Sequence, residues 1–339
     1  MSKTISVAII GASGYTASEL IRLIHNHPYI KVKYLVGNSK AGKNIEDIYS
    51  YLKFTDLPPI QNLSSIDFND IELVFTCLPH GETVKIINKI PKHIKIIDLS
   101  SDFRISKNDL YKEYYKENLD DKYQDEIAYG LSEIYEEEIK NKRIIACPGC
   151  YPTGALLPLI PLIKEGMISN SEIIIDAKTG ISGAGRKAIE NNLFCEINEN
   201  LIPYNLNSHR HLAELIEQLK INKSNIQFTP QIIPVSRGII SNIYVKSDIT
   251  AIKLSEFLTD YYKDSFFIRI VNEIPKLRNI IATNFCEIAI FDTNINGKKL
   301  IISNIDNLTK GSSGQAIQNF NIIYNFEINT GLTNLATYP

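Results

Sequence analysis

The chain has almost no excess charge of either sign: 36 Lys and Arg against 38 Asp and Glu leave a formal net charge of −2 and a pI near 6.3. It therefore has no surplus of cations to neutralise a phosphate backbone or an anionic membrane surface, which argues against nucleic acid and lipid partners. Cysteine is scarce as well. Cys77, Cys147, Cys150, Cys195 and Cys286 are few for this length and odd in number, which speaks against a secreted disulfide framework and for a reducing cytoplasm. Long apolar runs are missing too. The first, ISVAII at 5–10, breaks into a glycine-rich turn after about six residues, too short for the apolar core of a signal peptide, and nothing approaches a membrane-spanning length. There is no internal repeat and no low-complexity linker. What is present, 339 residues at 44% hydrophobic and 22% charged, suffices for two packed domains.

The first half alternates. ISVAII is followed by GASGYTA and then by the apolar-periodic ASELIRLIHNH, which reads as strand, turn, helix. Further strands are expected at KVKYLVG (31–37), IELVFTCLP (71–79), IKIIDLS (94–100) and RIIACP (143–148), with helix-length stretches between them. That rhythm predicts a parallel sheet covered on both faces. The Tyr- and charge-rich stretch 108–140 interrupts it and reads as a solvated surface excursion. After residue 160 the texture changes to SEIIIDA, QFTPQIIPV and SNIYVKS with helices between, an α+β pattern with a mainly antiparallel sheet. The tail from 311 opens on a turn and runs into a helical pattern that could pack back on the first domain.

A glycine-rich turn between a first strand and a first helix lets backbone N–H groups approach a pyrophosphate at the positive helix end. Gly11, Ser13 and Gly14 occupy that position, and Tyr15 and Thr16 open the helix, so these five are the expected cofactor contacts. An NAD-specific site would place Asp or Glu at the end of the second strand, to bind the ribose hydroxyls. Gly37, Asn38, Ser39 and Lys40 stand there instead, and Ser39 and Lys40 suit a phosphate-bearing ribose, hence NADP. The expected fold class is thus α/β: a Rossmann-type parallel-sheet domain, residues 1–149 and 311–339, plus an α+β domain, residues 150–310.

Positions 146–154, ACPGCYPTG, hold two cysteines three apart. A thioredoxin-like redox pair would follow the first strand of a small domain, and this one arrives after another fold. Zinc would need a second pair of ligands, and the other cysteines are solitary, so no metal is expected. A nucleophile remains: Cys150 follows Pro148 and Gly149 at an expected helix start, where the dipole and open N–H groups favour a thiolate.

ACPGCYPTG resembles the active-site segment of the N-acetyl-γ-glutamyl-phosphate reductases, relatives of aspartate-semialdehyde dehydrogenase in arginine biosynthesis. GASGYTASEL, LPHG (78–81), DLSSDFR (98–104), YGLSE (129–133), SGAGRK (182–187), HRHLAEL (209–215) and DNLTKGSSGQA (306–316) resemble the same family, in its order, across nearly the whole chain. Ala17 replaces a usual glycine, Ser132 a usual proline, and Cys147 stands where the family often has asparagine, which marks it as a bystander.

The resemblance implies reduction of an acyl phosphate, N-acetyl-glutamyl 5-phosphate, to its semialdehyde with NADPH. Cys150 would displace phosphate to form a thioester, and hydride would reduce that thioester to the aldehyde. A histidine should handle the protons near neutral pH. Ser208 is a reasonable N-cap, which puts HRH in a first helical turn where only one of the two imidazoles can face Cys150. The resemblance favours His209 as catalytic, with His211 the alternative and otherwise a substrate contact. Arginine's planar fork suits phosphate or carboxylate, so Arg104 and Arg186 are substrate candidates, with Ser182 and Gly183 in the same anion-receiving loop as Arg186. By resemblance Asn307 lies near the nicotinamide carboxamide, and the second domain builds a homo-oligomer, dimer or tetramer. Rival readings are aspartate-semialdehyde dehydrogenase, a noncatalytic NADP-sensing module, and a cysteine hydrolase or acyltransferase that needs no dinucleotide.

Overall fold

The computed structural model describes residues 4–337. The chain divides into two compact units. The first comprises the residues up to Arg104, Asp120–Pro148 and Ser312–Thr333; the second comprises Ile105–Leu119, Gly149–Gly311 and the residues from Asn334 on. No helix among the described residues is long and apolar enough to cross a membrane.

The first unit is built on seven strands: β1 (Ile5–Ile10), β2 (Ile30–Val36), β3 (Ile60–Gln61), β4 (Leu73–Thr76), β5 (Lys95–Asp98), β6 (Ile127–Tyr129) and β7 (Ile144–Ala146). Their order is β3-β2-β1-β4-β5-β7-β6 and every pairing is parallel. As expected of a parallel sheet, β4 and β7 are buried throughout, which their near-continuous apolar runs dictate. Ile10, Thr76, Asp98 and Ala146 stand side by side in register, so the carboxyl ends of β1, β4, β5 and β7 form one edge. Because β2 lies on one side of β1 and β4 on the other, the strand order reverses at β1, the position where such sheets open a ligand crevice.

The tail folds into a helix, Gly314–Ile323, within the first unit. This helix is buried although it carries Gln315, Gln318, Asn319 and Asn321. Buried amides must be hydrogen-bonded, and Ser132 supplies part of the answer. Its hydroxyl donates to Asn319 Oδ1 at 2.6 Å, while Gln315 Nε2 reaches Ser132 Oγ at 2.8 Å and Gly130 O at 3.0 Å. Ser132 thus tethers the tail helix.

The stretch 108–140 differs from its expectation as a solvated excursion. Helix Asn108–Tyr115 belongs to the second unit, where Glu217 accepts from Ser106 N and Lys107 N, and residues 120–140 return to the first unit and supply β6. Tyr111, Tyr114 and Tyr115, three and four residues apart, line one helix face and are buried there. The charges of the stretch drew attention away from that tyrosine face.

The second unit carries β8 (Ile173–Gly180), β9 (Ile202–Pro203), β10 (Ile226–Ile233), β11 (Ile239–Lys246), β12 (Ile268–Ile270), β13 (Cys286–Asp292) and β14 (Lys298–Ile305) in the order β12-β13-β14-β11-β8-β10-β9. The β8/β10 and β12/β13 pairs are parallel and the rest antiparallel, the mainly antiparallel sheet that was expected. Burial alternates along β8: Ile173, Ile175 and Ala177 are buried, whereas Ile174, Asp176 and Lys178 face outward.

Helix Cys150–Lys164 holds Pro158 and Pro161 in its interior. Each proline lacks the N–H that would serve the carbonyl four residues back, so Gly154 O and Leu157 O lose their helical donors. Side chains replace both: Ser303 Oγ donates to Gly154 O at 2.7 Å, and Tyr262 Oη to Leu157 O at 2.5 Å. The helix that begins at Cys150 therefore keeps its buried carbonyls satisfied.

Candidate active site

In the first unit, Gly11 adopts φ +91°, and a Cβ there would fall 2.5 Å from the Cys77 carbonyl oxygen, so only glycine lets the turn after β1 lie against the end of β4. Helix Tyr15–His25 starts from Gly14 with no side-chain cap, which leaves its first-turn N–H groups directed at whatever fills the turn. Ser13, Gly14, Tyr15 and Thr16 all border that turn. Tyr49 Oη donates to Ser13 O at 2.9 Å, tying the segment that follows Ser39 and Lys40 to the same turn. Asn38–Lys40 forms a single 3-10 turn at the end of β2, with Ser39 exposed, Lys40 half-buried and no carboxylate among the three. These residues fit a pyrophosphate on the helix start and a phosphorylated ribose beyond β2.

Asp102 organises the loops after β4 and β5. It accepts from Gly81 N (2.6 Å), Thr83 N (3.0 Å), Val84 N (3.1 Å) and His80 Nδ1 (2.9 Å). Burial alone would raise its pKa, but these bonds, His80's first, hold the carboxyl below its ordinary value. LPHG and SSDFR are thereby one cross-linked feature, from which Arg104 sends Nη2 to Leu99 O at 3.1 Å. Cys147 belongs to this unit. Burial first, then the nearby Asp98 carboxylate, push its thiol up to about 12, so it stays protonated and unreactive.

In the second unit Cys150 is the first residue of its helix, with Gly149 as the N-cap and no side chain capping it. Gly149 N donates instead to Glu214 Oε2 at 2.8 Å, and Glu214 is fully buried. His211 Nε2 stands 3.9 Å from Glu214 Oε1. A Cβ on residue 149 would fall 2.4 Å from His211 Nε2 and 2.8 Å from Glu214 Oε1, so the missing side chain is the space that brings imidazole and carboxylate against the N-cap of the Cys150 helix.

His209 has different surroundings. It is itself the N-cap of helix Arg210–Leu219, one residue later than the expected Ser208, and its Nδ1 accepts from His211 N at 3.1 Å. Its ring lies edge-on to Tyr151, Tyr204 and Phe228 at 5.3–5.7 Å between centroids. Burial first, then the neighbouring His211 and Arg210, lower its pKa to about 2, which keeps it neutral across the useful pH range.

The remaining candidates gather at the ends of β8 and β14. Asn307 Nδ2 donates to Ser182 Oγ at 2.9 Å, and its Oδ1 accepts from Gly238 N at 2.7 Å. Both ends of the amide are thus engaged within the unit, and the side chain is buried. Gly183 lies beside it, with space for a Cβ at 3.8 Å from Asn307 Nδ2. Arg186 follows Gly185 (φ +80°) on an exposed loop. Gly11, Ser13, Gly14, Tyr15, Thr16, Ser39, Lys40 and Arg104 therefore belong to the first unit; Cys150, Ser182, Gly183, Arg186, His209, His211 and Asn307 belong to the second. Glu214 was missed from the sequence. Its signal was an acid three residues after His211 inside the apolar face of LAELI, a position that a carboxylate occupies only when paired.

Known proteins match the chain over nearly its whole length. The chain is 43% identical to an N-acetyl-gamma-glutamyl-phosphate reductase of Ehrlichia ruminantium (strain Gardel), covering 99% of both chains. It is 42% identical to one of Methanocaldococcus jannaschii, covering 98% of this chain and 99% of that protein. The chain belongs to the N-acetyl-γ-glutamyl-phosphate reductase family. A probable chloroplastic member of Arabidopsis thaliana is 41% identical over 99% of this chain and 86% of its own length. Residues 6–142 match the NAD binding domain of semialdehyde dehydrogenases and residues 150–307 their dimerisation domain, so family membership makes the chain an oxidoreductase with a nicotinamide-dinucleotide domain at its start. Aspartate semialdehyde dehydrogenase II from Vibrio cholerae shares the fold, with a TM-score of 0.73 at 17% identity over 96% of this chain and 99% of that one.

Proposed function

We propose that the chain reduces N-acetyl-γ-glutamyl phosphate with NADPH to N-acetylglutamate semialdehyde, releasing phosphate, with Cys150 as nucleophile and His211, in place of the expected His209, as the acid–base group. The observation that carries this reading is Cys150 at an uncapped helix start whose N-cap packs directly against His211 and Glu214. The Cys150 thiolate attacks the γ-carbonyl carbon, the bond from that carbon to the phosphate oxygen breaks, and a thioester remains on Sγ. NADPH supplies a hydride when bound. His211 gives a proton through Nε2 to the oxygen that gains charge and takes it back on collapse, while Glu214 stabilises the imidazolium. His209 serves as helix cap and aromatic-cluster member.

Gly11, Ser13, Gly14, Tyr15 and Thr16 hold the pyrophosphate end of the cofactor, and Ser39 and Lys40 its 2′-phosphate. Arg104, Ser182, Gly183 and Arg186 receive the anionic ends of the substrate, and Asn307 keeps the Ser182 loop in position. We assign residues 1–149 and 311–339 to the cofactor domain and 150–310 to the catalytic one, with segment 105–119, Gly149, Gly311 and the residues from Asn334 on going to the second as the compact units divide. The half-open face of the second sheet, with Ile174 41% exposed, supports a homo-oligomer, dimer or tetramer. Five thiols with no bond between any two support a cytoplasmic setting.

The test follows phosphate-dependent reduction of NADP by N-acetylglutamate semialdehyde, compared with aspartate semialdehyde, in wild type and Cys150→Ser. Preference for the acetylated substrate and loss of turnover in the serine variant are expected; equal use of both semialdehydes, or turnover retained in Cys150→Ser, would contradict the proposal. NADP binding without turnover would favour the sensing module.

A further inference from the structure

A second glycine, Gly311, lies directly against Cys150. Residues Thr309–Ser313 form one π-helical turn after β14, and a Cβ built on Gly311 would fall 2.8 Å from Cys150 Cβ, 3.2 Å from Cys150 Cα and 3.3 Å from Ile305 Cδ1. These are backbone and stem atoms of the nucleophile, not the far end of a flexible chain. Gly311 has no positive φ among its conformational demands, so what the position requires is space alone.

The turn that carries Gly311 is anchored at several points. Asp306, fully buried, accepts from Leu308 N (2.8 Å), Thr309 N (3.0 Å) and Ala282 N (2.7 Å), and takes two bonds from Arg237, Nε at 2.9 Å and Nη2 at 3.1 Å. Arg237 Nη2 also reaches Thr309 Oγ1 at 2.9 Å, Gly311 N donates to Asp306 O at 2.9 Å, and Lys310 is buried with its ammonium over the Phe267 ring. A π-helical turn is a local irregularity that needs such support and is frequent at functional sites.

We propose that Gly311, held by the Asp306–Arg237 pair, is a positioning residue that seats Cys150 at the start of its helix. Added bulk at 311 moves Cys150, because the turn that bears it is anchored. The sulfur then leaves the helix axis and the imidazole on the Gly149 side, where it gains its stabilisation as a thiolate. Gly154, four residues along the same helix, is the contrast: a Cβ there meets Ile305 and Ser303 at 3.6–3.7 Å, ordinary contact.

This inference rests on the reading of Cys150 as nucleophile, and the experiment separates the two. Alkylation by iodoacetamide, in protein without substrate, is measured against pH with peptide mapping, alongside kcat and the Kd for NADPH. In wild type, alkylation at Cys150 should abolish turnover; if fully Cys150-alkylated enzyme still turns over, the nucleophile reading falls. Gly311→Ala should lower kcat at least about 100-fold and move the alkylation midpoint upward by about one pH unit, with NADPH Kd within threefold and Gly154→Ala unchanged in every respect. Arg237→Lys, which loses the paired bonds but adds no bulk, should move the midpoint in the same direction, and provides the answer if Gly311→Ala does not fold. A wild-type alkylation profile in folded Gly311→Ala, or in Arg237→Lys when the former is unfolded, overturns the inference, as does an equal shift in Gly154→Ala.

Discussion

Pro161 and Tyr262 are expected to behave as one unit. Tyr262 is 3% exposed and its hydroxyl gives Leu157 O the hydrogen bond that Pro161 cannot. Tyr262→Phe keeps the ring and leaves a buried carbonyl without a donor, a loss of about 1–3 kcal/mol. In Pro161→Ala the restored N–H of residue 161 can serve Leu157 O, so the same Tyr262→Phe change should cost about 1 kcal/mol less there. The chain has no tryptophan, so urea unfolding is followed by circular dichroism, using the transition assigned to the second unit because a two-unit chain need not unfold in one step. Pro161→Ala has its own cost in lost packing, which cancels from the cycle. Equal costs for Tyr262→Phe in the two backgrounds would refute the argument that the hydroxyl replaces the missing backbone donor.

The histidines make opposite predictions. His211→Asn should lower kcat by about 10²–10⁴, whereas His209→Asn, which keeps an N-cap acceptor, should change kcat less than about tenfold; the reverse order would return the acid–base role to His209. His209 also carries a pH signature. Its folded pKa lies near 2 against 6.5 unfolded, so below 6.5 the unfolded chain binds a proton that the folded chain refuses, and stability falls as pH falls. Between pH 7 and pH 5 wild type should lose about 2 kcal/mol that His209→Asn does not, and parallel stability curves for the two would contradict the buried neutral ring. Gly149→Ala should damage kcat as severely as His211→Asn, since its methyl would fall 2.4 Å from Nε2 and displace the ring; an active, folded Gly149→Ala would mean that the imidazole works from elsewhere.

The first sheet was legible because buried parallel strands read as mainly apolar runs, and ISVAII, LVFT and IIA are such runs or the centres of longer ones in IELVFTCLP and RIIACP. β3 and β6 were not: β3 has only two residues, and β6 lies inside the charge-rich stretch 108–140. Helix Asn108–Tyr115 was hidden by composition: its burial rests on three tyrosines among charges, and which unit would accept that face is a tertiary fact. Cys150 could be chosen from its Pro-Gly lead and the proline-rich helix behind it. The resemblance favoured His209, and the sequence did not show that His209, one position after Ser208, is itself the residue that caps the helix. Gly149 and Gly311 matter for the atoms that lie where their side chains would be, and those atoms come from segments 62 and 161 residues away in the chain, at His211 and Cys150.

The central claim is a covalent bond between Cys150 and the substrate's acyl group. It is tested most directly by mixing the enzyme with N-acetyl-γ-glutamyl phosphate in the absence of NADPH, quenching in acid and mapping peptides by mass spectrometry. The account predicts an acyl adduct on Cys150 that hydroxylamine removes and Cys150→Ala lacks. Turnover with NADPH present but no such adduct, or an adduct on another residue that survives Cys150→Ala, would contradict it.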